Sequence, residues 1–234
     1  MVDAETKRPL IIYAMPRSRS LATLSACKRS QRLVEPFSLY NLNGQVDDPF
    51  AIQLRAYATN QVSPAVWNDL IWYMRQPWTA SKIFGYHIHE FKPAQHWWRD
   101  VQARDEHDIY VLARDRLQLC ISFFMASAYG FYLREQRPLV PSELDPMLIH
   151  TLDYKIDCHL RYFPTRGRLI TWDTLPPEDF DTALVGKPWR RAESQDYQQK
   201  QDLISNMPLL IERAQEVLAW HKDEWDAKES ALSH

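Results

Sequence analysis

Glycine is scarce in this chain, with five in 234 residues against fifteen prolines. The phosphate loop GxxxxGK[ST] is absent, which disfavours an ATP or GTP site of the usual kind. Cysteine is scarcer still. Cys27, Cys120 and Cys158 are odd in number, lack metal-ligand spacing and sit in apolar surroundings. They read as core thiols of a reducing compartment. Charge of one sign is missing too: 28 basic and 30 acidic residues leave a formal net charge of −2. A general nucleic-acid binder needs a large basic surplus, so nucleic acid is not an expected partner. Met1 to Arg8 is polar and predicts no signal peptide, so the expected location is cytoplasmic. Long charge-free runs are also rare. Leu117 to Leu133 lies at the short limit for a bilayer span and contains Gln118, Ser122 and Ser127. It reads as a buried core helix.

What is present fits a soluble α/β protein. Apolar residues make up 45% and charged residues 25%, ordinary for a globular chain. No repeat or low-complexity linker divides it, so one domain over residues 1–234 is expected. Strand-like runs at Leu10 to Met15, Leu33 to Tyr40, Lys82 to Phe91, Asp108 to Ala113 and Arg168 to Trp172 alternate with helical ones. Helices are expected from Arg19 to Gln31, Asp47 to Ala58, Pro64 to Arg75, Pro93 to Val101, Asp115 to Tyr132 and Ser142 to Tyr162. The stretch from Ser194 to about Lys228 should hold one or two more, broken near Pro208. The alternation predicts a central, mostly parallel sheet of about five strands flanked by helices.

The first candidate site is the turn after the first strand. A strand, a tight loop and a helix form the common geometry for holding a phosphate. Here the loop Pro16-Arg17-Ser18-Arg19-Ser20-Leu21 adds two guanidinium groups and two hydroxyls, all donors to phosphate oxygens. An ordinary turn with exposed arginines has the same composition. The segment resembles the 5′-phosphosulfate loop of the sulfotransferases, P-[KR]-[ST]-G-[ST]-[ST]. Pro16, Arg17, Ser18 and Ser20 match; Arg19 stands where glycine is usual and Leu21 where a second hydroxyl is usual.

A second motif follows the DIYVLA strand. The family's 3′-phosphate signature is an arginine after a strand and a serine eight residues on, in the next helix. Arg114 and Ser122 have that spacing. Read without the family, Arg114 is a surface ion-pair partner and Ser122 a small core residue. Leu169 to Leu175 is similar to the family's strand and turn near the adenine, which implies a stacking role for Trp172; a core tryptophan would look the same. Val34-Glu35-Pro36-Phe37 also has a family-like look. The late basic stretch with Arg190 and Arg191 lies where many members close over the 3′-phosphate.

The resemblance implies a P-loop NTPase-like sulfotransferase fold and a metal-free enzyme. Its donor is 3′-phosphoadenosine 5′-phosphosulfate (PAPS) and its product the desulfated nucleotide (PAP). Arg17 is the expected clamp on developing charge, since arginine does not readily give up a proton. The acceptor base is expected in Gly85-Tyr-His-Ile-His-Glu-Phe91, with His89 ahead of His87 and Glu90 a further candidate. On a strand His87 and His89 would share a face. A structural histidine pair and a His-x-His metal site are the alternatives there. His96 and His107 read as surface residues. Two other functional classes stay open: a P-loop-like small-molecule kinase, and a non-catalytic nucleotide-binding or interaction module of the same fold. The acceptor and the oligomeric state are not legible in the sequence.

Overall fold

The computed structural model describes residues 7–37, 64–129, 141–181 and 201–232. Five strands form one sheet: β1 (Leu10–Ala14), β2 (Gln31–Val34), β3 (Thr79–Phe84), β4 (Asp108–Leu112) and β5 (Arg168–Ile170). Their order is β2-β3-β1-β4-β5 and every pairing is parallel. The expected α/β class and strand number are thus found. β1 is buried at all five positions, as a central parallel strand should be. Its side chains alternate between two cores. Ile11 and Tyr13 pack with Leu70, Met74, Trp98 and Val101 on one face. Leu10, Ile12 and Ala14 pack with Leu24, Ala26 and Phe180 on the other.

All of those partners but Phe180, which pairs with Cys27 in an isolated bridge, belong to the covering helices. α1 (Ser20–Ala26) covers one face; α2 (Pro64–Met74) and α4 (Lys92–Ala103) cover the other, with the short α3 (Gly85–Glu90) between β3 and α4. α5 (Arg116–Tyr129), α6 (Leu148–Arg161) and α7 (Met207–Leu232) build a third apolar core through Phe123, Phe124, Leu152, Ile156, Leu210 and Trp225. α5 is buried nearly all round, as its composition predicts. No helix among the described residues is long and apolar enough to cross a membrane. All three cysteines are free and buried.

Several expected boundaries move. The helix predicted over Asp47 to Ala58 lies outside the described residues. β2 stops at Val34 rather than Tyr40, because Glu35 turns into the left-handed region at φ 54°. The run from Lys82 to Phe91 is not one strand: β3 ends at Phe84 and Gly85 opens α3. A Cβ on Gly85 would stand 2.4 Å from the Cys158 carbonyl oxygen and 2.7 Å from His159 Cα. Only glycine lets α3 press this closely on α6. The break expected near Pro208 is found: residues 201–202 are helical, residues 203–206 leave the helix, and Pro208 sits in the first turn of α7, where its missing N–H is no loss. His107 is buried at 2% exposure, not a surface residue, and packs edge-on against Trp97; His96 is exposed as expected.

Three histidines are therefore interior groups. The His159 ring stacks on Tyr13 at 5.0 Å, and burial holds its pKa down to about 3. Burial likewise brings His107 down to about 4 and His87 well below its usual value. Folded, all three stay neutral; unfolded, they take up protons as pH falls through about 6.5. The unfolded state then binds more protons, so stability is lost as the pH drops below about 6.5, at ~1.4 kcal/mol per pH unit for each histidine still held neutral. Glu90 and Asp108, whose carboxyls burial pushes up, act in the opposite sense. Urea midpoints should fall between about pH 7 and pH 5, and His159→Phe should flatten the decline. A midpoint that stays level over that range would contradict the assignment.

Candidate functional site

Three neighbouring strands end at one level. Ala14 of β1 pairs with Phe84 of β3 and with Leu112 of β4. The segments that follow, from Met15, Gly85 and Ala113, therefore leave the same carboxyl edge of the sheet side by side. From β1 the chain crosses toward β2, and from β4 toward β5, on opposite sides. Connections that diverge in this way open a crevice at the strand ends, the usual ligand position in open parallel sheets.

The loop after β1 is closed by Ser18. Its hydroxyl donates to the Met15 carbonyl at 2.6 Å and its N–H to the same oxygen at 3.3 Å. Ser18 thus shapes the loop from within, and its hydroxyl is already engaged. Arg17 and Arg19 both adopt left-handed backbone, at φ 69° and 66°. Such a conformation costs about 1–2 kcal/mol in a residue with a Cβ. Arg19 accepts this at the position where a sulfotransferase-type loop carries glycine, and its carbonyl then takes the Thr23 N–H at 3.0 Å. α1 is two turns long, shorter than expected, and ends as Cys27 turns to extended backbone. Ser20 is buried in its first turn, and its hydroxyl makes no hydrogen bond among the described residues. Leu21 is 49% exposed.

The second motif meets the first. Arg114 Nη1 donates to the Arg17 carbonyl at 2.5 Å, across 97 positions of sequence. Arg17 Nε donates to Ser122 Oγ at 3.4 Å, across 105. Arg17, Arg114 and Ser122 are thereby gathered at the junction of the loop with α5. Ser122 is buried, while Arg17, Arg19 and Arg114 are half-buried. Trp172 sits at 4% exposure in a 3₁₀ turn (Trp172–Thr174), with the Arg19 guanidinium 6.0 Å from its ring centre. Its ring is shared between the core and Arg19. Arg190 and Arg191 lie outside the described residues.

The α3 candidates divide. Because α3 is a helix, residues two apart point to opposite sides, so His87 and His89 do not share a face. His87 is enclosed, with its Nε2 3.9 Å from Glu35 Oε2. His89 is half-buried, its Nδ1 3.4 Å from the Tyr162 hydroxyl. Glu90 takes a 3.4 Å hydrogen bond from the Tyr154 hydroxyl. Beside His87 lies a pair that motif reasoning missed. Lys82, at 3% exposure, donates to Glu35 at 2.5 Å. The signal was in the sequence: a lysine within the otherwise uncharged strand TASKIF must find a counter-charge.

Among the described residues, the non-glycine positions with positive φ are Arg17, Arg19 and Glu35. All three follow the carboxyl ends of β1 or β2. Strained backbone gathered at one edge marks a site that the surrounding fold holds in place. No family model, curated protein or solved structure matches this chain.

Lys82→Met should destabilise the protein by roughly 3–5 kcal/mol, since it takes the ammonium away from the enclosed Glu35 carboxylate. Adding Glu35→Leu should recover most of that loss in urea unfolding. Equal stability of the Lys82→Met protein and the parent would show that the pair carries no such constraint.

Proposed function

We propose that this protein is a sulfotransferase that takes a sulfuryl group from PAPS and passes it to a hydroxyl or amine acceptor. The observation that carries the reading is the meeting of its two phosphate motifs through Arg17, Ser122 and Arg114. Loop and helix motifs far apart in sequence are unlikely neighbours by chance, and here they meet beyond the carboxyl ends of β1 and β4. In this reading the donor's phosphates replace the 3.4 Å contact between Arg17 and Ser122. The Arg17 side and Ser20 face the 5′ end, and Arg114 and Ser122 face the 3′-phosphate. Three half-buried guanidinium groups are strong partners for phosphate oxygens.

Transfer forms a bond from the acceptor oxygen or nitrogen to sulfur and breaks the bond from sulfur to the bridging phosphate oxygen. The electron pair of the broken bond stays on the leaving nucleotide. Arg17 offsets that growing negative charge without losing its own proton. The acceptor's proton goes to a base on α3. His89, half-exposed, leads that choice; His87 is neutral but enclosed, and Glu90 is the alternative. No metal is required by this scheme. A P-loop-like kinase and a non-catalytic module are the competing classes; nucleotide preference separates the first and a turnover assay the second.

PAP should bind saturably to the purified chain in calorimetry, more tightly than magnesium-ATP. Arg114→Ala should weaken it about tenfold or more, the loss expected for a charged hydrogen bond to phosphate. The parent should transfer radiolabelled sulfate from PAPS to some member of a broad acceptor panel, and Arg17→Ala should not. Absence of saturable PAP binding, or an Arg114→Ala protein that binds like the parent, would remove the proposal. Binding without any turnover would favour the non-catalytic module.

A further inference from the structure

Arg116 stands between the two members of the second motif, two residues after Arg114 and six before Ser122. It is the first residue of α5. Arg114 turns its guanidinium to the Arg17 carbonyl, whereas Arg116 turns to the C-terminal helix α7. There its Nη1 lies 2.7 Å from Asp226 Oδ1 and its Nη2 2.8 Å from Glu229 Oε2. The guanidinium carbon sits over the Trp225 ring, 4.6 Å from its centre. The Trp225 Nε1–H donates to Glu229 Oε1 at 2.8 Å, so the indole and the carboxylate hold each other.

A lone ion pair in solvent contributes little. Here one half-buried guanidinium meets two carboxylates and an indole face together. The fork of N–H donors fixes its direction as an ammonium would not. Helix spacing builds the receptor, since Trp225 and Glu229 are four residues apart and share a face of α7. The receptor is anchored below. Trp225 is buried, with its ring 5.5 Å from the His159 ring of α6, in the apolar core shared with α5. Lys222 also pairs with Asp226, so two cations balance two carboxylates. The cluster adds no net charge beside the phosphate motifs, and its contribution is geometric.

We propose that Arg116 is a positioning residue, clamped by α7 so that Arg114 and Ser122 stand ready for the 3′-phosphate of the donor. The inference rests on the donor reading above. β4 ends at Leu112 and α5 begins at Arg116, which leaves residues 113–115 as the whole link between two held elements. Asp115 secures the start of the helix, its Oδ1 taking the Gln118 N–H at 2.7 Å. With Arg116 fixed, the Arg114 backbone has little freedom, and its guanidinium is held toward the Arg17 loop. In the other direction α5 is regular, so Ser122 follows about 9 Å along its axis. Groups ordered before the ligand arrives lose less freedom on binding, which strengthens the affinity for the 3′-phosphate.

The test compares PAPS with adenosine 5′-phosphosulfate, which lacks only the 3′-phosphate, by calorimetry on the whole chain. The parent should bind PAPS more tightly. Equal affinities in the parent would remove the donor reading and this inference with it. The variant Asp226→Asn with Glu229→Gln releases Arg116 and takes away two negative charges. Charge alone would then tighten PAPS binding. The clamp predicts the opposite sign: PAPS weaker by about fivefold or more, with adenosine 5′-phosphosulfate changed by less than about twofold. Arg116→Lys keeps the charge but not the fork, and should show the same selective loss. Circular dichroism and urea unfolding check that each variant is folded, and Glu229→Gln alone replaces the double variant if that one is not. PAPS binding that is unchanged or tighter in these variants, or an equal loss for both nucleotides, would overturn the positioning role and leave the donor reading standing.

Discussion

Arg114 gives a hydrogen bond to the carbonyl of Arg17, and Arg17 turns its own Nε toward Ser122. These contacts join two short segments that are distant in sequence. They form because β1 and β4 are neighbours that end in register, with Ala14 beside Leu112. The same level is kept on the other side, where Ala14 pairs with Phe84 and the chain turns at once into α3. A shift of one residue in either pairing would carry an arginine about 3.3 Å along the sheet and turn its strand neighbours to the wrong face. The alternating burial of β1 in two different cores opposes such a shift.

The edge so formed concentrates features that are unfavourable taken singly. Arg17, Arg19 and Glu35 hold left-handed backbone. Lys82 and Glu35 are enclosed as a charge pair, with neutral His87 alongside. Lys155, a half-buried ammonium, rests over the Tyr86 ring at 3.5 Å, and burial lowers its pKa. Their cost is offset by the apolar packing below, where β1, β3 and β4 are buried almost throughout. Rigid packing under a strained, charged rim is how a fold fixes functional groups in advance of a ligand.

Much of this was legible in the residues alone. The strand runs LIIYA and DIYVL are short and largely apolar, and both are found as parallel strands. The eight-residue step from Arg114 to Ser122 could be read directly, because helix rise ties spacing to distance. The turn at Gly85 could not. Alternating Tyr86, His87, Ile88 and His89 imitate a strand, and the helix is selected by close packing against Cys158 and His159, far along the chain. The Lys82–Glu35 pair needed the register of β2 with β3, in which Val34 lies beside Lys82. Burial of His107 likewise depends on Trp97, a contact that no local pattern announces.

The central claim is that the β1 loop and the Arg114–Ser122 motif are two ends of one nucleotide site. The most direct test is a crystal structure with PAP bound. The account predicts one phosphate against residues 16–20 and the other within hydrogen-bond distance of Arg114 and Ser122. A nucleotide that contacts only one of the two motifs, or lies elsewhere on the molecule, would contradict it.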